Sequence, residues 1–508
     1  MSIEIDPQPC PIDHLVEQGS DAAAALMLQD RILTFADLRS RVGKLAAWLS
    51  SELPTKGSRV ASWAAKGELT CLLPIAAARA NLVYVPINPA LRRAQVEHIL
   101  ADSGAEIIIG NPTRLLALGD GLKAGTYRGI SEQDVLDIID NYQNRLEPSI
   151  AHTDDLVSIL YTSGSTGKPK GVMLSHANIW LGAVSVAHYL ELSSDDVTMA
   201  LLPFSFDYGQ NQLFSTWFAG GAVVPFNYLL PKDVPKNCEK FKVTTIAAVP
   251  PLWIQIVGTD WAPNAVKSLR RLTNSGGSLN PDLVERLRSI FPEAKLFPMY
   301  GLTEAFRSTY LDPALVAKYP TSIGSAIPFA EVLILDEEGN PVKQGQEGEL
   351  VHCGPLVAKG YWQDKETTKK RFRPAPAFSK YPGTAVWSGD RVKQGENGLL
   401  YFVGREDNLI KSQGNRISPQ EIEDAALETN LVSEAAAFGI YDDVIGQAIH
   451  LAVTKTSGVQ DAKELLPKLL ATKLPKFMQP GKIHWYQELP LNSNGKIDYP
   501  ALKRGVDQ

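Results

Sequence analysis

The chain has 508 residues, 44% hydrophobic and 21% charged, an ordinary globular composition and long enough for more than one domain. Its 50 basic and 56 acidic residues leave a net charge of −6, which excludes a basic field for nucleic acid. Cys10, Cys71, Cys238 and Cys353 have neither zinc-site spacing nor the pattern of a disulfide framework, and read as reduced thiols.

The N-terminal "MSIEIDPQPC" carries acids and prolines where a signal peptide needs bases and an apolar core, so a cytoplasmic location is expected. The elements then alternate. "TFADLRSRVGKLAAWLSSEL" has helical spacing, "RVASWAA" reads as a strand and "ELTCLLPIAAARA" as a helix. Pro74, Arg79 and Asn81 argue against a membrane span in that apolar stretch. "LVYVPI" is a strand, "RAQVEHILADSGA" a helix and "EIIIG" a strand, and alternation of this kind predicts βαβ units on a parallel sheet. The pattern resumes from "DLVSILYTSGS" through "TTIAAVPPLWIQIV" and "LRRLTNSGGSL" to "AKLFPMYGLTE".

From about Ile323 the texture becomes short strands with turn chemistry, as in "EVLILDEEGNPVKQGQEGELVHCG" and "GLLYFVGRED", hence antiparallel β. After "GREDNLIKSQGNRISPQEIEDAAL" a smaller α+β segment follows. Helices are expected from Pro419 and near 461–474, with strands near 435–439 and 449–455. The expected fold is α/β and α+β. A large N-terminal domain (1–406) of α/β subdomains plus a β-rich subdomain carries a small mobile C-terminal domain (407–508).

Three strands end in polar loops, at 163–171, 274–278 and 300–304, and ligands of open α/β sheets bind outside such carboxyl ends. The first loop, "YTSGSTGKPKG", has the material of a phosphate cradle. Gly164 and Gly167 allow close backbone approach, Thr162, Ser163, Ser165 and Thr166 supply hydroxyls, and Lys168 and Lys170 supply charge. It is not a Walker loop: only two residues separate Gly164 from Gly167-Lys168, and Pro169 follows. That spacing excludes a P-loop kinase or GTPase.

Six segments in order resemble the AMP-forming adenylating superfamily of acyl-CoA synthetases, luciferases and nonribosomal peptide synthetase adenylation domains. They are "YTSGSTGKPKGVMLSH", "MYGLTE", "GELVHCGPLVAKGYW", "WSGD", "GREDNLIKSQGNRISPQEIE" and "LPLNSNGKIDYPAL", and the resemblance covers the chain from about residue 30 to 503. The resemblance implies attack of a carboxylate on the α-phosphate of MgATP, giving acyl-AMP and pyrophosphate, then thioester formation.

It further implies that Thr162, Ser163, Gly164, Ser165, Thr166, Gly167 and Lys170 hold the β- and γ-phosphates, and that Glu304 binds Mg2+. Thr303 would bond the α-phosphate, Tyr300 would lie against adenine, Gly276 and Gly277 would let the chain pass the base, Asp390 would accept the ribose hydroxyls and Arg405 would contact the nucleotide. Lys496 would bridge carboxylate and α-phosphate, as a point cation suits. Asp407 would be the hinge on which the C-terminal domain turns, exchanging Lys496 for the face around Lys411 and Gly414.

The acyl pocket implied in the same way is Asp207, Tyr208, Asn211, Ala248, Asn274, Gly276, Met299, Arg307 and Ser308, more polar than a fatty-acyl tunnel. It points to a small or polar acid, an amino acid among the candidates. Asp207 is read two ways: it holds a substrate ammonium, or it has an internal partner such as Arg307. "GLTEAFRSTYL" is similar to stand-alone ligases that load a carrier protein. The acceptor is therefore expected to be the phosphopantetheine thiol of an acyl or peptidyl carrier protein in trans, with free CoA as the alternative. Neither a nucleic-acid partner nor a membrane span is expected.

Overall fold

The computed structural model describes residues 6, 8–119, 125–162, 169–277, 279, 281–405, 410–417, 419–456, 458–490 and 497–506. Two sheets organise the N-terminal region. The first has six strands in the spatial order Arg128–Ser131, Ile107–Gly110, Arg59–Trp63, Val83–Pro86, Leu156–Thr162, Lys170–Ser175. All its pairings are parallel except the last, where Leu156–Thr162 turns back on Lys170–Ser175 through the glycine-rich loop. The alternation in the sequence is the cause: the inner strands Arg59–Trp63, Val83–Pro86 and Ile107–Gly110 are almost wholly buried, and each is followed by a helix, Glu68–Arg79, Arg93–Ser103 and Pro112–Leu118 respectively.

The second sheet has fourteen strands. Its central part is parallel, with Ala222–Pro225, Val197–Ala200, Thr245–Ala248, Arg271–Asn274 and Lys295–Tyr300 side by side. Beyond Lys295–Tyr300 it continues antiparallel through Thr309–Tyr310, Ser322–Ala326, Leu400–Arg405, Thr384–Gln394, Glu347–Cys353 and Glu331–Leu335. The antiparallel segment expected after Ile323 is thus an extension of the parallel sheet. The largest apolar core draws on both sheets and on the helices Phe35–Glu52, Glu68–Arg79, His176–Tyr189 and Asp207–Phe218.

Residues 410–506 carry their own core around the three strands Val432–Asp442, Gly446–Lys455 and Lys482–Tyr486, flanked by helices Pro419–Leu427 and Ala462–Lys473. Lys482–Tyr486, which runs parallel to Gly446–Lys455, is the element the sequence pattern had not disclosed. The expected boundary at 406–407 lies outside the described residues. No described helix is long and apolar enough to cross a membrane. All four cysteines are free thiols, three of them buried.

Candidate active site

The strand Lys295–Tyr300 ends in a loop that folds straight back, because Tyr300 pairs with Thr309 and Met299 with Tyr310. Gly301 makes the return possible: a Cβ there would stand 2.8 Å from the Phe306 carbonyl oxygen and 2.9 Å from Arg307 Cα. Phe306, in turn, sits at φ 61°, ψ −85°, a conformation a phenylalanine adopts only when its surroundings impose it. The loop therefore fixes Thr303, Glu304 and Arg307 on a short, rigid frame.

One side of this frame faces a cavity at the strand ends. It is lined by Thr162, Asp207, Ser275, Gly276, Thr303 and Arg307, and on the opposite side by Gly414, Asn415, Glu421 and Met478. Asp207 and Arg307 meet there: Nη1 lies 3.5 Å from Oδ2, and the side chains are 4% and 3% exposed. Thr303 Oγ1 stands 3.5 Å from the other carboxylate oxygen. Arg307 is thus an internal partner of Asp207. Asp207 also begins the helix Asp207–Phe218, where the positive end of the helix dipole favours a carboxylate.

Glu304 accepts a hydrogen bond from Tyr361 Oη at 2.6 Å. Lys170, expected on phosphate, is paired with Asp364 (3.1 Å) and donates to Thr367 Oγ1 (2.7 Å). Further along, Tyr300 donates its hydroxyl hydrogen to the buried Asp390, whose strand pairs with Arg405. Phe402 packs near Tyr300, and the Lys411 ammonium stands 4.0 Å from the Phe402 ring centre. Ser163, Gly164, Ser165, Thr166, Gly167, Lys168, Asp407, Lys496 and the Arg405 side chain lie outside the described residues.

The expected acyl-pocket residues divide. Tyr208, Asn211, Met299 and Arg307 line a second, smaller chamber behind Arg307, reached also by Ala247, Thr245 and Thr273. Ala248 lines neither space. It packs into the apolar cluster on the other face of its strand, because neighbouring residues of a strand point to opposite faces, and Ala247 takes the chamber side. Asn274 braces the turn by donating to the Gly277 carbonyl (2.9 Å), and Ser308 bonds to His352 Nδ1 (2.9 Å). These three were placed on the pocket by position in the motif, and local strand parity and turn chemistry direct them elsewhere.

The far wall of the main cavity comes from the C-terminal region. Ile410–Ser412 and Asn415–Ile417 form a hairpin with Gln413 and Gly414 at its tip, both at positive φ (51° and 76°), as a two-residue turn of this hand requires. The tip presses on Val249: a Cβ on Gly414 would lie 2.7–2.9 Å from its side chain. Glu421 faces the same cavity, holds Gln95 across the domain junction, and burial pushes its carboxyl up to about 7. Ile497, the residue after Lys496, packs with Phe438 and Leu489, whereas the hairpin packs with Ala437 on the opposite face of the same sheet.

A family model described as AMP-binding enzyme matches residues 13–362, and its C-terminal-domain companion matches 421–496. The chain belongs to the AMP-binding enzyme family. It is an adenylate-forming ligase. Among its relatives is the D-alanine–D-alanyl carrier protein ligase of Bacillus licheniformis, 28% identical, covering 95% of this chain and 96% of that one. Another is the feruloyl-CoA synthase of Amycolatopsis sp, 30% identical with 96% of both chains covered. The same fold is seen in o-succinylbenzoate CoA synthetase of Bacillus subtilis, with a TM-score of 0.86 at 24% identity over 98% of both chains. It is seen again in the amide bond synthetase McbA of Marinactinospora thermotolerans, at 0.86 and 23% over 97% and 99%.

Within this adenylating enzyme, the motifs had named the strand-end loops but not their partners. Tyr361 lies inside the quoted "GYW" and could have been suspected as a hydroxyl donor. Gln95, Val249 and Glu421 had no signal, because their importance comes from where the C-terminal domain rests. Gln212 and Thr245 were missed because only their neighbours belong to the motif set.

Proposed function

We propose that this ligase activates a small or polar carboxylic acid as its acyl-AMP, releasing pyrophosphate, and passes the acyl group to the phosphopantetheine thiol of a separate carrier protein. The observation that carries the reading is the meeting at one cavity of Thr303, Gly276 and the Asp207–Arg307 pair with the Gly414 hairpin of the C-terminal domain. Adenylation needs charge neutralised on a phosphate, and thiol transfer needs the nucleotide site closed by a surface that admits a thin arm.

In this reading the residues fit ATP and Mg2+. Asp390, a buried carboxylate beside Tyr300, is suited to ribose hydroxyls. Glu304, oriented by Tyr361, would hold the Mg2+, which would supply positive charge for the phosphates. Thr303 bonds the α-phosphate. Lys170 would exchange Asp364 for phosphate. Lys496 serves the first half-reaction and the face carrying Lys411 and Gly414 the second, with Asp407 as hinge.

Carrier loading is supported by the relative named for that activity. CoA is the second reading, favoured by the feruloyl-CoA synthase relative and by Arg114 and Lys476, cations that line the groove running to the hairpin and would suit its phosphates. An ATP–pyrophosphate exchange screen over amino acids and short, aryl and long-chain acids tests the first step. Thioester formation with CoA or with holo-carrier proteins then separates the acceptors. Exchange with no acid would refute the reading.

A further inference from the structure

The chamber behind Arg307 takes in four of the expected acyl-pocket residues, Tyr208, Asn211, Met299 and Arg307, but the chemistry above does not say what it would hold. Four polar atoms of residues lining it have no hydrogen-bond partner among the described residues: Arg307 Nε, Asn211 Nδ2, Gln212 Oε1 and Thr245 Oγ1. The four residues are 2%, 3%, 5% and 3% exposed. Buried polar groups are rarely left this way, and a cluster of them around one void needs something to satisfy it. The space left for a water-sized sphere is about 20 Å³. That suits one or two small polar groups and excludes a ring.

We propose that this chamber is a specificity subsite for the far end of the acid, taking an uncharged group that both accepts and donates hydrogen bonds, namely a hydroxyl or a carboxamide. The inference rests on the adenylation reading and names its substrate class. Arg307 lines both the main cavity and the chamber, so an acid whose carboxylate lies near Thr303 reaches the chamber by passing the guanidinium.

The orphan set decides the chemistry. Arg307 Nε–H and the Asn211 amide present donors, so the incoming group must accept. Gln212 presents an acceptor, so it must also donate. An ammonium cannot accept and would stand beside the Arg307 cation. A carboxylate cannot donate. A methyl group would leave all four atoms unpartnered. Since Arg307 already faces Asp207, a neutral guest leaves the charge balance intact.

The test uses acids matched in length: butanoate, 4-hydroxybutanoate and succinamate; pentanoate, 5-hydroxypentanoate and glutaramate; alanine and serine; norvaline, homoserine and glutamine. In pyrophosphate exchange, the hydroxyl or amide member of at least one series should exceed its apolar partner by about 100-fold or more in kcat/KM, as sites built to hydrogen-bond a substrate group discriminate. Thr245→Val keeps the shape and removes one orphan hydroxyl; it and Gln212→Leu should each cut that ratio at least about tenfold. Should Gln212→Leu fail to fold, Thr245→Val alone decides. Equal or better turnover of the apolar member in every series would overturn the subsite and leave adenylation standing. An undiminished ratio in the variants would do the same. Exchange with no acid at all would overturn both.

Discussion

Arg307 Nη1 stands 3.5 Å from Asp207 Oδ2 with both residues buried, so the cavity wall carries a closed cation–carboxylate pair. The guanidinium also lies 4.6 Å from the Tyr208 ring centre, which holds it over the chamber mouth. Arg307→Met would remove the cation that faces the buried Asp207. A loss of about 3–5 kcal/mol is expected in chemical denaturation. Arg307→Lys should recover part of it; if Arg307→Met loses less than about 1 kcal/mol, the pair has no structural weight.

Arg307 gives Asp207 a cation within the protein. Asp207→Ala is expected to lower exchange for an amino acid and for its des-amino analogue alike, within a factor of about three. A loss confined to the amino acid would reinstate Asp207 as the ammonium holder.

Gly414 and Lys496 should separate the two half-reactions. Gly414→Ala places a methyl group against Val249 at a φ of 76°, where the hairpin tip must sit. It should slow thioester formation from preformed acyl-AMP at least about tenfold while sparing pyrophosphate exchange. Lys496→Ala should do the opposite, abolishing exchange and sparing transfer. If either variant impairs both steps equally, the division of labour is wrong.

Glu421 makes the docked arrangement sensitive to pH. Burial raises its carboxyl from 4.5 to about 7, so the docked state prefers the protonated form. The contribution is complete below 4.5, where the carboxyl is protonated in the exposed state too, and it is lost as pH rises through about 7. A donor–acceptor dye pair across the two domains should therefore report less of the docked state as pH climbs from about 5 to about 7.5. Glu421→Gln should flatten the profile, and an unchanged slope in that variant would assign the sensitivity elsewhere.

How much of this was legible in the sequence depends on the range of the interaction. The βαβ alternation and the three polar strand ends are local patterns, and the described parts of those ends line one cavity. Asp207, Thr303 and Arg307 were named from motifs and do meet. A motif position says nothing of strand parity, and it is Ala247 rather than Ala248 that lines the chamber. Lys170 found Asp364, 194 positions away by residue number, a pairing that no local pattern encodes. Gln95 with Glu421 and Val249 with Gly414 exist only because a second domain lands on the first.

The central claim is that an acid carboxylate attacks the α-phosphate of ATP. Running turnover with an acid that supports exchange, labelled with 18O in its carboxylate, tests this directly. The account predicts AMP carrying one 18O atom together with unlabelled pyrophosphate. Formation of ADP with the label in inorganic phosphate would place the attack on the γ-phosphate and contradict it.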